Sequence, residues 1–275
     1  MYQILDILSF IRFLNLFIAS LTVCLCFNLL DCYNYIQLFL CIGIVVLSMI
    51  FGNIMNDLID IKTDAINKPN RLLVKKMITE SQTKFILFIT ALVLCYLLSF
   101  LSYKALLFYG FLFCLLVFYN IFFKKTPFIG NVIVSFLLSS VVVFTELIIS
   151  DHFKQLLPLA LLAFYISVIR EVIKDLEDYK GDQKTNYYTL PILIGKKQTN
   201  YFVMSLIIIF CTICLIPAYI NIDYLLYIII IIEIPMFYSL FLLIKEPTKK
   251  EFSQISMILK GVIIGGLFII FLINN

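Results

Sequence analysis

Apolar residues in this chain neither alternate with polar ones nor keep to one side of a helical repeat; they come in long unbroken blocks. Nine can be drawn, at about 10–30, 36–58, 84–101, 104–123, 128–149, 156–174, 199–220, 223–244 and 253–273. Most are close to the ~20 apolar residues that an α-helix needs to cross the hydrocarbon of a bilayer. In lipid the backbone must satisfy its own hydrogen bonds, which helices do within one segment. The pattern predicts an all-α membrane protein of nine transmembrane helices, forming a single domain over 1–275.

Composition sharpens this reading. Of 275 residues, 63% are hydrophobic and 14% are charged, against about 25% charged in ordinary soluble domains. A soluble helical bundle would need polar helix faces, and the blocks have none. Seven of the eight cysteines, all but Cys32, fall inside the blocks, where a free thiol behaves as a small hydrophobe. Cys211 and Cys214 have redox or metal-pair spacing but no His or Cys partner nearby, and the lone His152 excludes a His-rich metal site. No basic face with interleaved aromatics speaks for nucleic acid. The N-terminal block carries Asp6 and Arg12 and lacks a small-residue cleavage site, so it reads as a retained first span.

Charge sets the orientation. Basic residues collect in the connections after helices 2, 4, 6 and 8, and with Arg12 they account for 18 of the 21 Lys and Arg. Lys104 and Lys154 stand on the other side and Lys260 inside the last block. The positive-inside rule makes the rich side cytoplasmic. The N-terminus is then cytoplasmic, and an odd number of spans places the C-terminus outside.

Two of those connections are acidic. Asp57, Asp60 and Asp64 stand at three-then-four spacing, and so do Asp175, Asp178 and Asp182. On a helix such positions share one face. Pro69 and Gly181 are the expected turning points after the two runs. Glu171, four residues before Asp175, falls on that face; Glu177 does not and is read as solvated. An acid at the end of a cytoplasmic helix is ordinarily just solvated. Two triads of matching spacing on one side of the membrane point instead to a shared role. Like charges about 4 Å apart repel by roughly 4 kcal/mol at an effective dielectric near 20, so a cation must compensate them. Hard oxygen donors select Mg²⁺, with all six aspartates as metal-ligating and catalytic candidates. Mg²⁺ keeps waters and joins carboxylates to phosphate oxygens, which makes a diphosphate the natural substrate. Lys68, Arg71, Lys124 and Lys125 are candidates to contact it.

Asn56-Asp57-x-x-Asp60-x-x-x-Asp64, followed by Ile66-Asn67-Lys68-Pro69-Asn70-Arg71, resembles the first signature of the UbiA family of membrane prenyltransferases. Lys174-Asp175-Leu176-Glu177-Asp178 through Gly181-Asp182, then Thr189-Leu190-Pro191 and Gly195, resembles the second. Arg12 and Asn15 are similar to the family's Arg-Pro-x-Asn, with Phe13 in place of Pro, and Leu72 to Lys76 replace the usual Pro and Gly after the motif arginine. The resemblance implies nine helices around a central cavity. It also implies transfer of a polyprenyl group from its diphosphate, through an allylic carbocation, to a lipophilic acceptor. Asn15, Asn56 and Lys174 come in as substrate-binding residues by the same resemblance. Tyr119, Asn120 and Tyr165 are candidates to face the cation, although packing or lipid contact is the commoner duty of an aromatic here.

The second signature is most similar to the branch that includes digeranylgeranylglyceryl phosphate synthases and chlorophyll and homogentisate prenyltransferases. That implies a prenylglyceryl phosphate acceptor, whose phosphate would use Lys124, Lys125 or Arg170, in ether-lipid synthesis. An aromatic acceptor of quinone biosynthesis is the alternative within the family. Outside it stands an ion-coupled transporter, for which Glu146 and Glu233 would mark a path; the sequence shows no glycine- or proline-broken helix at mid-membrane to support one. The expected location is the cell's inner membrane, with the active site on the cytoplasmic side.

Overall fold

The computed structural model describes residues 4–217, 222–245 and 247–274. Among them every regular element is helical. Seven helices are long and apolar enough to cross a membrane: Tyr35–Ile59 (α3), Glu80–Leu98 (α5), Tyr103–Ile121 (α6), Ile129–Ser150 (α7), Lys196–Cys214 (α10), Leu225–Ile244 (α11) and Lys249–Asn274 (α12). Phe13–Leu29 (α2) is apolar but shorter. Leu157–Lys184 (α8) has 28 residues and a charged C-terminal half. The far end of the 199–220 block, residues 218–220, lies outside the described residues.

The chain divides into two compact units, Met1–Lys124 with Ser140–Ala160, and Lys125–Ser139 with Leu161–Asn275. The first is built around α3. Its core joins Ala19, Val23 and Phe27 of α2 to Cys41, Ile44 and Val45 of α3, with Leu94, Ala105, Tyr109 and Phe144. Gly52 lets α6 lie close against α3: a Cβ there would stand 3.1 Å from Leu116 Cδ1. Outward residues such as Ile36, Phe39, Phe85, Phe88 and Tyr96 are exposed, which suits a surface solvated by lipid.

Several helix starts are capped by side chains. Asn34 accepts the Ile36 and Gln37 amides at the head of α3. Thr79 and Gln82 form a reciprocal capping box at α5. Glu146, 1% exposed, accepts the Gln155 and Leu156 amides at 2.7 and 3.0 Å. It thereby holds the two amides that lead into α8, the N-cap amide of Leu156 among them.

The second unit packs Ile169, Val172, Ile173 and Leu176 of α8 against Val203, Ile207 and Phe210 of α10, Met236 of α11, and Ile255, Leu259 and Val262 of α12. Tyr165 stacks on Phe210 at 5.9 Å, a packing role. All eight cysteines are free thiols.

Four expectations are corrected. The N-terminal block is not one rod: Ile4–Ile11 (α1) ends at Arg12, which takes the left-handed conformation (φ 57, ψ 51) before α2 begins. The first acidic run is not on one helix either. Asp60 ends α3 and opens Ile61–Asn67 (α4) with φ −92 and ψ 8. Gly181 does not turn the chain, because α8 runs on to Lys184 and the left-handed residue is Asn186 (φ 57); Pro69 does lie in a turn. Finally, a proline does disturb a spanning helix. Pro235 lacks an amide hydrogen and crowds the carbonyl four residues before it. The turn before it, Ile229–Glu233, widens to π geometry, and Ile231 presses on Gly265 of α12, where a Cβ would clash with its Cγ2. Glu233 is buried on that wide turn beside the Cys211 thiol, and Lys260 on α12 is half-buried.

Candidate active site

In the first unit the acidic run lies at the end of α3. Two hydrogen bonds carry the chain across the break at Asp60: Asp60 N–H to the Asn56 carbonyl at 3.0 Å, and Asp64 N–H to the Asp60 carbonyl at 2.8 Å. Asp57, Asp60 and Asp64 are 4%, 8% and 5% exposed. Three carboxylates that dry need cations, and three arrive from separate parts of the chain. Arg12 donates to Asn53 Oδ1 at 2.9 Å and to Asp57 Oδ1 at 2.7 Å. Arg71 donates to Asp57 and stands 2.9 Å from Asp64 Oδ2. Lys124, at the exit of α6, donates to both Asn56 and Asp60. Arg12 gains this reach from its left-handed backbone, and Asn53 Nδ2 fixes it by donating to the Ile11 carbonyl at 3.3 Å.

Electrostatics here is a contest between burial and pairing. Burial pushes the Asp64 carboxyl above its ordinary range, while Arg71 and Lys68 pull it back. Burial pushes the Lys124 ammonium down, and Asp60 opposes that. Asp64 Oδ2 is buried and accepts no hydrogen bond, so Arg71 meets it as a charge only. Lys68 is half-buried at the end of α4, Asn15 half-buried on the first turn of α2, and Tyr119 half-buried on α6. Asn120 is buried beside Tyr119.

In the second unit Glu171, Asp175, Asp178 and Asp182 follow one stripe of α8, at spacings of four, three and four. Asn131 of α7 donates to Asp175 Oδ2 at 2.8 Å. Glu171 is gripped by Arg170 at 3.0 Å and Lys174 at 2.7 Å. Glu177 is half-buried. Lys125 is exposed, with its ammonium 5.0 Å over the Tyr187 ring, and its carbonyl accepts the Tyr188 amide at 3.2 Å. The adjacent lysines Lys124 and Lys125 therefore serve different units.

Sequence reasoning missed Asn53 and Asn131 and passed over Arg12 as a binding group. Asn53 had a signal, standing one helical turn before Asp57. Asn131 had only its polarity within an apolar run.

The donor set suits magnesium: buried, hard carboxylate oxygens, one of them lacking a hydrogen bond. Among the described residues no three His, Cys, Asp or Glu side chains converge as a ready-made cage.

Known proteins resemble this chain along most of its length. The UbiA prenyltransferase family matches residues 14–261. The digeranylgeranylglyceryl phosphate synthase of Methanosphaera stadtmanae is 32% identical over 260 residues, covering 92% of this chain and 93% of that protein. The enzyme of the same name from Methanocaldococcus jannaschii is 34% identical over 219 residues, 76% of this chain and 74% of the other. Among solved structures, one of a digeranylgeranylglyceryl phosphate synthase superposes with a TM-score of 0.68 at 29% identity, covering 97% of this chain and 96% of its own. A UbiA homolog from Archaeoglobus fulgidus, bound to GPP and Mg²⁺, shares the fold at 16% identity and a TM-score of 0.65, covering 96% and 99%.

Proposed function

Since this chain belongs to the UbiA prenyltransferase family, we propose that it moves a polyprenyl group from its diphosphate to the hydroxyl of a prenylglyceryl phosphate, making an ether lipid. One observation carries the reading: three buried aspartates held by Arg12, Arg71 and Lys124, in a chain aligned over 92% of its length with a digeranylgeranylglyceryl phosphate synthase. Substrate-binding roles are assigned to Asn15, Asn56, Lys68, Tyr119 and Asn120 of the first unit and to Lys125, Arg170 and Lys174 of the second. The matched spacing of the two acidic runs supports assigning both to the same reaction.

The chemistry follows from the groups present. Mg²⁺, when bound to the aspartates, supplies Lewis-acid stabilisation for a departing diphosphate. Arg71, Lys68 and Lys124 offer donors to the diphosphate oxygens, Arg71 as a planar fork. Arg71 and Lys124 are paired with the carboxylates, so a diphosphate meets a neutral cluster with cations to share rather than bare acid. The departing group takes the electron pair of the C1–O bond. Apolar helix walls keep water from the allylic cation until the acceptor oxygen attacks C1. Nine spans, a cytoplasmic N-terminus and a site at the cytoplasmic face of the inner membrane complete the proposal, supported by the basic residues gathered on that side.

The test is transfer by purified protein in detergent, with labelled geranylgeranyl diphosphate and a panel of glyceryl phosphate ethers and aromatic acids, read by mass spectrometry. An ether product that disappears in excess EDTA and returns with Mg²⁺ is expected. Transfer to aromatic acids alone would move the chain to the quinone-type reading, and turnover indifferent to EDTA would remove the metal.

A further inference from the structure

Asn120 stands on the last turn of α6, about one helical turn before Lys124, which reaches Asn56 and Asp60. It is 3% exposed. Its Nδ2 donates to the Leu116 carbonyl at 2.9 Å. That bond fixes which way the amide lies, because a flip would set oxygen against oxygen. The remaining pole is therefore Oδ1, and among the described residues it is buried with no hydrogen-bond partner. A buried acceptor left unmatched destabilises the fold, and such a group needs a ligand that donates. A prenyl diphosphate presents only acceptors and hydrocarbon. The acceptor substrate presents a hydroxyl, and it must lie just inward of the diphosphate, where C1 is.

We propose that Asn120 Oδ1 receives the hydrogen bond of the acceptor's nucleophilic hydroxyl and aims its oxygen at C1 of the donor. This deepens the reading given under Proposed function and rests on it. In the step, the hydroxyl oxygen bonds to C1 and the C1–O bond to diphosphate breaks. Its electron pair leaves with the diphosphate, and the hydroxyl proton passes to a diphosphate oxygen. The amide oxygen orients the hydroxyl and does not keep the proton.

The test separates capture of the cation from its formation. Purified wild type, Asn120→Leu and Asn120→Ala are given geranylgeranyl diphosphate and geranylgeranylglyceryl phosphate with Mg²⁺. Released diphosphate, ether and geranylgeraniol are counted separately. Loss of one hydrogen bond to the nucleophile lowers the ether-to-alcohol ratio by about tenfold, while diphosphate release stays within about twofold. Removal of an unmatched polar atom leaves the thermal midpoint of Asn120→Leu no lower than wild type. Asn120→Ala reports the ratio if the leucine variant does not fold. An unchanged ratio overturns the proposal. So does diphosphate release that falls in step with ether, since Asn120 would then serve the donor's head. If wild type makes ether only with a phenolic acceptor, the glyceryl phosphate reading fails and Asn120 is judged by the same ratio on the phenol. If wild type uses no hydroxyl acceptor, both fall.

Discussion

Glu146 offers the sharpest test of how a buried acid in this protein is used. Both its oxygens are committed, to Leu156 N–H at 3.0 Å and Gln155 N–H at 2.7 Å. A hydrogen bond to a charged acceptor contributes about 1.5–3 kcal/mol. The two bonds do not count equally. Leu156 is 7% exposed, and its amide has no other partner to turn to once the carboxylate is gone. Gln155 is exposed, and its amide can turn to solvent, so that bond counts for a fraction. Glu146→Ala should then destabilise by about 2–4 kcal/mol. Glu146→Gln keeps one acceptor oxygen for Leu156 and loses only the exposed bond, so about 1 kcal/mol is expected. Equilibrium unfolding in mixed micelles measures both, and folded Glu146→Gln should transfer prenyl groups at the wild-type rate. If Glu146→Ala lies within about 0.5 kcal/mol of wild type, the capping argument fails. A transfer rate lost in folded Glu146→Gln would reopen a proton or ion path.

Asp64→Asn should lower prenyl transfer by more than about a hundredfold while leaving the protein folded, since a neutral amide suits that burial; retained activity would take Asp64 out of the site. Gly265→Ala drives a Cβ against Ile231 Cγ2 and should cost about 1–3 kcal/mol. Gly266→Ala, with nothing within 4 Å, should be neutral or mildly stabilising, and equal losses for the two would mean the close contact does not matter. Lys104 holds the Asp151 carboxyl below its ordinary range, chiefly through its hydrogen bond. The folded carboxyl is harder to protonate than the unfolded one, so this contribution is present above the ordinary carboxylate range and lost as pH falls through the lowered value. With side chains 59% and 47% exposed, the pair is screened. Lys104→Gln should leave the thermal midpoint at neutral pH unchanged; a clear drop there would contradict the screening argument.

The helical class was legible because lipid permits little else. The acidic run was legible because its spacing and its Lys-Pro-x-Arg follow-on lie in one stretch of chain. What escaped were the joints. Nothing local marks Arg12 as left-handed: the conformation is unusual for arginine and is held by Asn53 and Asp57, some forty residues away. The break at Asp60 has no glycine or proline to announce it, and Gly181, which looks like a breaker, is carried through by α8. Pro235 was visible as a letter, but its effect depends on a neighbouring helix able to accept a widened turn, as Gly265 does. The partners of the aspartates were half legible. Arg71 lies within the motif, whereas Arg12 and Lys124 are matched to it only by the packing of α3 against α1 and α6.

The interruption at Asp60 makes the first acidic run modular. Were Asp57, Asp60 and Asp64 borne by one stiff rod, an added or deleted residue would swing every downstream carboxylate by about 100°. With a joint between them, Asp57 belongs to a long anchored segment and Asp64 to a seven-residue rotor, α4. The rotor can be re-angled by changes in the loop that follows, without unseating the anchor. Descendants of such a chain could re-aim Asp64 for a bulkier lipid head by altering residues 72 to 78, which leaves Lys68 and Arg71 in place.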